Sequence, residues 1–101
     1  MSETERQWPE GLVAYKRTPE FTETTVPAGL LRSHSTKPGV WAKIHVLSGR
    51  LRFTDLVLGI SRDLDEGVHT VVYPEAEHEV APQGEVRFFV EFHAVPKPSA
   101  D

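Results

Sequence analysis

Apolar and polar residues alternate along much of this chain with the two-residue period of a half-buried strand. Over 41–47, Ile44 and Val46 share one face, while Trp41, Lys43, His45 and Leu47 share the other. Near the end, Phe88, Val90 and Phe92 point one way and Phe89, Glu91 and His93 the other. Both faces of that second run carry apolar groups, which predicts a central strand covered on both sides. No window keeps helical spacing for three turns, and eight prolines and seven glycines interrupt the chain too often for long helices.

The runs 44–47 and 50–53 flank Ser48-Gly49, a pattern that predicts a hairpin in which the glycine supplies positive φ. Strands are expected near 12–17, 26–34, 40–47, 50–58, 68–73, 78–80 and 85–93. The polar stretch 61–67 is expected to be a loop, 81–84 a tight turn, and residues 1–10 and 95–101 frayed ends. Many short strands and frequent turns predict an all-β sandwich or closed barrel. The length of 101 residues fits one domain, with an ordered core over about 8–94.

Composition mainly excludes. The formal charge is −4, with 11 Lys+Arg against 15 Asp+Glu, and Lys16-Arg17 and Arg50 with Arg52 are pairs rather than a basic patch. Nucleic acid is therefore not an expected partner. With no cysteine, disulfides, thiolate metal sites and cysteine nucleophiles are excluded. No apolar run is long enough to span a bilayer, so no membrane partner is expected. The polar, acidic opening over 1–7 is unlike a signal peptide, and the expected location is cytoplasmic.

The remaining chemistry lies in five histidines, His34, His45, His69, His78 and His93. Neutral imidazole is a common ligand for transition metals. No short metal motif is present, so any site has to be assembled from separate strands. No nucleophile elbow or phosphate-binding glycine loop occurs either. His34 ends an apolar run before Ser35, Thr36 and Lys37, and His78 follows a proline-bearing turn at 73–77; both are expected where strands meet a barrel rim. His45 faces away from Ile44 and Val46, toward solvent or a partner subunit, and His69 beside the acidic stretch is expected to be exposed. Glu91 sits in an apolar segment, where a carboxylate needs a partner. Lys43 and a metal ion are both candidates for it.

The segments 15–21, 25–37, 39–44, 46–51 and 88–92 resemble the TehB/YeaR-like, tellurite-resistance-associated family of small cupin-like proteins. The likeness runs from about Trp8 to His93 and is carried by length and order rather than by one motif. It implies a small cupin-type double-stranded β-helix, that is, a jelly-roll barrel. In some tellurite-resistance proteins a methyltransferase domain follows such a barrel. None is expected after Asp101, so tellurite methylation by this chain alone is not implied. Against the general cupin pattern, His34 and Gly49 match the first motif, whereas Thr36 and Ala42 replace a histidine and a glutamate, and His78 matches the histidine of the second. The resemblance thus implies a divalent metal (zinc, iron or nickel) on His34, His78 and Glu91, with Thr36 and Lys43 as ligand contacts, and no organic cofactor. A small molecule or anion as ligand, a homodimer through edge strands, and a role in tellurite, oxyanion or related stress are the accompanying expectations. A non-catalytic ligand-binding or interaction module without metal is the alternative.

Overall fold

The computed structural model describes residues 9–96, so most of the two expected frayed ends lies outside the described residues. Six strands form one antiparallel sheet. They are β1 (Val13–Arg17), β2 (Phe21–Thr22), β3 (Trp41–Asp55), β4 (Ile60–Asp65), β5 (His69–Val72) and β6 (His78–Ala94). The order is β1-β6-β3-β4, with β2 also on β6 and β5 also on β3.

Two long strands, β3 and β6, form the spine, pairing from Trp41 opposite His93 to Asp55 opposite His78. The further neighbours of each change along its length, and β6 pairs with β2 at 87–88 and with β1 at 91–94. The first half of β3 pairs with β5 and the second with β4. Such a spine closes on itself only if both strands bend, and the ladder shifts register at Val46/Ser48 and at Gly49/Leu51. Gly49 sits there with φ 82°. A Cβ on it would overlap the Glu85 carbonyl oxygen and lie 2.8 Å from Val86 Cα. The irregular pairing is completed by Glu23, whose carboxylate accepts the Val86 amide at 3.0 Å. That bond holds the Glu23 carboxyl below its usual range.

Four local expectations are therefore corrected. Ser48-Gly49 is a bulge inside β3, not a hairpin turn. The expected turn at 81–84 is the bulged stretch of β6, where Pro82 lies opposite Leu51. Proline is tolerated in a strand at such irregularities. The expected loop at 61–67 is largely β4, whose Leu64 is fully buried and pairs with Leu51. In the expected strand at 26–34, Ala28–Leu31 forms a short 3-10 turn.

The face assignments hold. Ala42, Ile44 and Val46 are buried together with Leu51, Phe53, Leu64, Val72, Val80, Val86 and Phe88. Val90 and Phe92 pack against this core, while Lys43, His45, Phe89 and Glu91 lie on the opposite face. No helix among the described residues is long and apolar enough to cross a membrane.

Candidate functional site

The inner faces of β3, β5 and β6 do not meet across the whole sheet. They enclose a cavity of about 670 Å³ that opens to solvent. Its walls are mainly apolar, with Ile44, Val72, Val80, Phe88, Val90 and Phe92 among them. Lys16 of β1 and Leu30 also border it, as does the segment 34–37.

His34 and His78 meet at this cavity. Their backbones form an isolated two-bond bridge, His34 N–H to the His78 carbonyl at 3.0 Å and the reverse at 2.9 Å. The bridge brings the ring centroids to 4.1 Å in an edge-to-face arrangement. Each ring is also held by the chain two residues before it. His34 Nδ1 donates to the Arg32 carbonyl at 2.9 Å, and His78 Nδ1 to the Ala76 carbonyl at 2.8 Å. A carbonyl only accepts, so both Nδ1 atoms carry the proton, and each neutral ring presents an unprotonated Nε2. His78 is 5% exposed and stacks on Phe53 with centroids 5.6 Å apart. Burial lowers its pKa. The Ala76 carbonyl opposes that shift and His34 adds to it.

The other expected ligands stand elsewhere. Glu91 is on the outer face, where its Oε1 accepts from His93 Nε2 at 2.9 Å and His45 Nε2 at 3.3 Å. It does not line the cavity with His34 and His78. Among the described residues no group of three or more His, Asp or Glu side chains could hold a metal ion. The expected grouping of His34, His78 and Glu91 is thus not assembled, because the period of a strand puts position 91 opposite to the inward Val90 and Phe92. Lys43 is on the same outer face, directly opposite Glu91 in the ladder and not at the cavity. Thr36 does border the cavity, but its hydroxyl donates to the Val40 carbonyl at 2.8 Å, which ties the loop ahead of β3.

The outer cluster has its own order. His45 stacks on Phe89 with centroids 4.7 Å apart, and the Arg17 guanidinium lies 4.1 Å above the same ring. Burial raises the Glu91 pKa, but the hydrogen bonds and charge of His93 and His45 outweigh it and the net shift is downward. The side chain of His69 lies outside the described residues, so the expectation that it is exposed is not addressed.

These shifts set a sign for stability against pH. The folded-state pKa values of His78 and Glu91 are both depressed, so the unfolded chain takes up each proton first. Their contributions are complete above the ordinary values, near 6.5 for His78 and 4.5 for Glu91, and are lost as pH falls through the folded values. His78→Gln should flatten the decline in urea midpoint below pH 6.5, and Glu91→Gln the decline below pH 4.5. A His78→Gln profile parallel to wild type across the upper window would contradict the assignment.

Sequence reasoning passed over Lys16 and Lys37 as cavity residues. Lys16 is exposed and lies opposite Phe92 in the β1–β6 pairing, which turns it toward the cavity side. A register shift between Ala14 and Lys16 hides this from simple alternation.

The TehB-like domain family matches residues 16–90. A probable S-adenosyl-L-methionine-dependent methyltransferase TehB of Haemophilus influenzae is 40% identical over 45 residues, covering 45% of this chain and 16% of that one. The chain therefore spans about a sixth of the curated relative it matches. The crystal structure of TehB from Haemophilus influenzae superposes with a TM-score of 0.79 at 28% identity, over 85% of this chain and 32% of that chain. A protein from Escherichia coli K12 gives 0.84 at 22% identity, over 92% of this chain and 100% of that one. A cupin protein from Bacteroides fragilis gives 0.51 at 18% identity, over 68% and 57%. The fold is that of a small cupin-like protein.

Proposed function

This chain belongs to the family of TehB-like domains, and from that membership we propose that it is a small-molecule-binding domain whose ligand sits in the barrel cavity against His34 and His78. The observation that carries the reading is the mainly apolar cavity of about 670 Å³ with two oriented imidazoles on its wall. Its volume lies within the range of small-molecule sites, roughly 300–1,000 Å³, and apolar walls with a few placed polar groups are their usual make-up. Protein-detected NMR, following backbone amide shifts on addition of a library of small organic fragments, tests it. Hits should shift the amides of Ile44, Val80 and Phe88; hits that move only outer-face residues such as His45 and Glu91 would remove the reading.

A bound divalent ion is a second reading, favoured by the two Nδ1–carbonyl bonds. Histidine ligands are commonly held in this way, with Nε2 directed at the metal. His34 and His78 fit as two donors for zinc, iron(II) or nickel, and the described residues add no third. The remaining positions would go to water or to the bound small molecule. Such a two-imidazole site is weak, so metal content after purification is a poor guide and titration is the better measurement. Added zinc or nickel should raise Tm, and His34→Ala and His78→Ala should each abolish the rise while His45→Ala and His93→Ala keep it. The opposite pattern, or no rise with either metal, removes the ion from the proposal.

The physiological part, a link to tellurite, oxyanion or related stress in the cytoplasm, is supported by family membership alone. Loss of the gene should lower tolerance to tellurite, and unchanged growth would detach this part. Methyl transfer is not carried over from a relative of which the chain spans 16%. A homodimer through β4 is supported by that strand's place at the end of the sheet order, by its own exposed Ile60, and by the adjoining turn that exposes Val57 and Leu58. A light-scattering mass of one chain would rule it out.

A further inference from the structure

We propose that the cavity's ligand is an amphiphilic organic anion, a monocarboxylate with an apolar tail or ring whose body fills the barrel and whose carboxylate lies at the lysine-bearing rim. The inference rests on the small-molecule reading above and names the ligand's class.

It comes from the charge of the lining. The chain carries 15 Asp+Glu against 11 Lys+Arg, so a wall drawn at random would hold more acids than bases. Among the described residues none of the acids lines the cavity, and its fully charged residues are Lys16 and Lys37, both exposed; Glu75 and Glu77, close to His78 in sequence, do not line it. The lysines come from separate elements, β1 and the loop before β3, so their common sign is not a local sequence run. Below them the wall is built from Ile44, Val72, Val80, Phe88, Val90 and Phe92.

Each other ligand class conflicts with part of this arrangement. A cation would meet two ammonium groups and no carboxylate. A small inorganic oxyanion would surrender its hydration to an interior of hydrocarbon, which costs more than two rim charges return. A neutral apolar molecule would suit the walls and leave the lysines without a part. An amphiphilic anion uses both. Its tail gains from apolar burial, and its head stays at the rim, where the ammonium groups attract it without full desolvation. In their neutral form the two imidazoles do not compete for that role. Their Nδ1 protons are taken by Arg32 and Ala76, and an unprotonated Nε2 cannot donate to a carboxylate.

Calorimetric titration of the full chain with four probes tests the class: octanoate, 1-octanol, octylammonium and inorganic phosphate. Octanoate should bind about tenfold more tightly than 1-octanol, in line with two partly exposed charge pairs, and its affinity should fall with added sodium chloride while that of 1-octanol does not. Octylammonium should bind more weakly than 1-octanol, and phosphate should not bind. In Lys16→Gln/Lys37→Gln, which alters only exposed side chains, the octanoate preference should vanish and 1-octanol binding should remain. Equal affinity for octanoate and 1-octanol, or a preference that survives in the double variant, overturns the anionic class and leaves the cavity reading standing. Phosphate binding in place of octanoate overturns the class in favour of an oxyanion. If no alkyl probe binds and no cavity amide shifts, the small-molecule reading itself fails.

Discussion

Gly49→Ala should be the most damaging conservative change in the chain, lowering stability by about 4 kcal/mol, near the upper end of single-substitution effects. Two costs combine. The residue has φ 82°, a region in which an L side chain costs about 1–2 kcal/mol. The new methyl would also overlap the Glu85 carbonyl oxygen and press on Val86 Cα at 2.8 Å. Those are backbone atoms of the other spine strand and have no rotamer through which to escape. Relief requires β3 and β6 to part where both bend, which would also loosen the bond from the Val86 amide to Glu23. Gly59→Ala is the control, since Gly59 has φ 71° with nothing within 4 Å of its added Cβ. It should cost only the conformational part, about 1–2 kcal/mol. Urea denaturation of both variants isolates the close approach. Equal losses would mean that the contact at Gly49 contributes nothing. A loss of about 4 kcal/mol is a large part of the 5–15 kcal/mol typical of a domain, so poor expression of Gly49→Ala is expected as well.

Phe88→Ala should cost about 3–4 kcal/mol and lower Tm by on the order of 15–25 °C. Phe88 is 0% exposed, pairs with Val46 across the spine, and meets the Phe21 ring edge-on with centroids 5.7 Å apart. It is also part of the cavity wall. Truncation therefore removes apolar burial and merges a new void with an existing one, leaving little chance for the surroundings to close in. Phe88→Leu, which retains much of the volume, should cost about 1–1.5 kcal/mol. The enlarged cavity of the alanine variant should also accept bulkier fragments than wild type. A thermal shift of only a few degrees for Phe88→Ala would mean that Phe21 and Val46 refill the space, and the account of the wall as rigid would be wrong.

These residues mark the boundary between what was readable in the chain and what was not. The two-residue period assigns Ile44 and Val46 to the inside and Lys43 and His45 to the outside, and it separates Phe88, Val90 and Phe92 from Phe89, Glu91 and His93. All of this is local, because a strand's geometry alone sets it. The order and spacing of segments over most of the chain likewise point to the family that matches residues 16–90. The bends were not readable. A glycine with positive φ serves a hairpin turn and a bulge equally well, and only the partner strand distinguishes them. At Gly49 the partner is β6, more than thirty residues later in the chain, which continues past the bend instead of leaving it.

The site divides in the same way. His78 was identifiable as a rim residue because it starts a strand, whereas His34 was placed there from an expected strand that the structure replaces with a 3-10 turn, and their 4.1 Å approach depends on a single backbone bridge between distant segments. Glu91 was identifiable as a carboxylate in need of partners. Its partners proved to be His93 and His45, on the face that its parity already required. Lys16 and Lys37 reach the cavity through a register shift and a loop, neither of which leaves a periodic trace. By itself the sequence determined the strand class, the inward faces and the family, since these follow from local geometry and segment order. The tertiary structure alone decided which strands run through their glycines, which histidines meet and what sign of charge surrounds the cavity, because each depends on contacts between segments far apart in the chain.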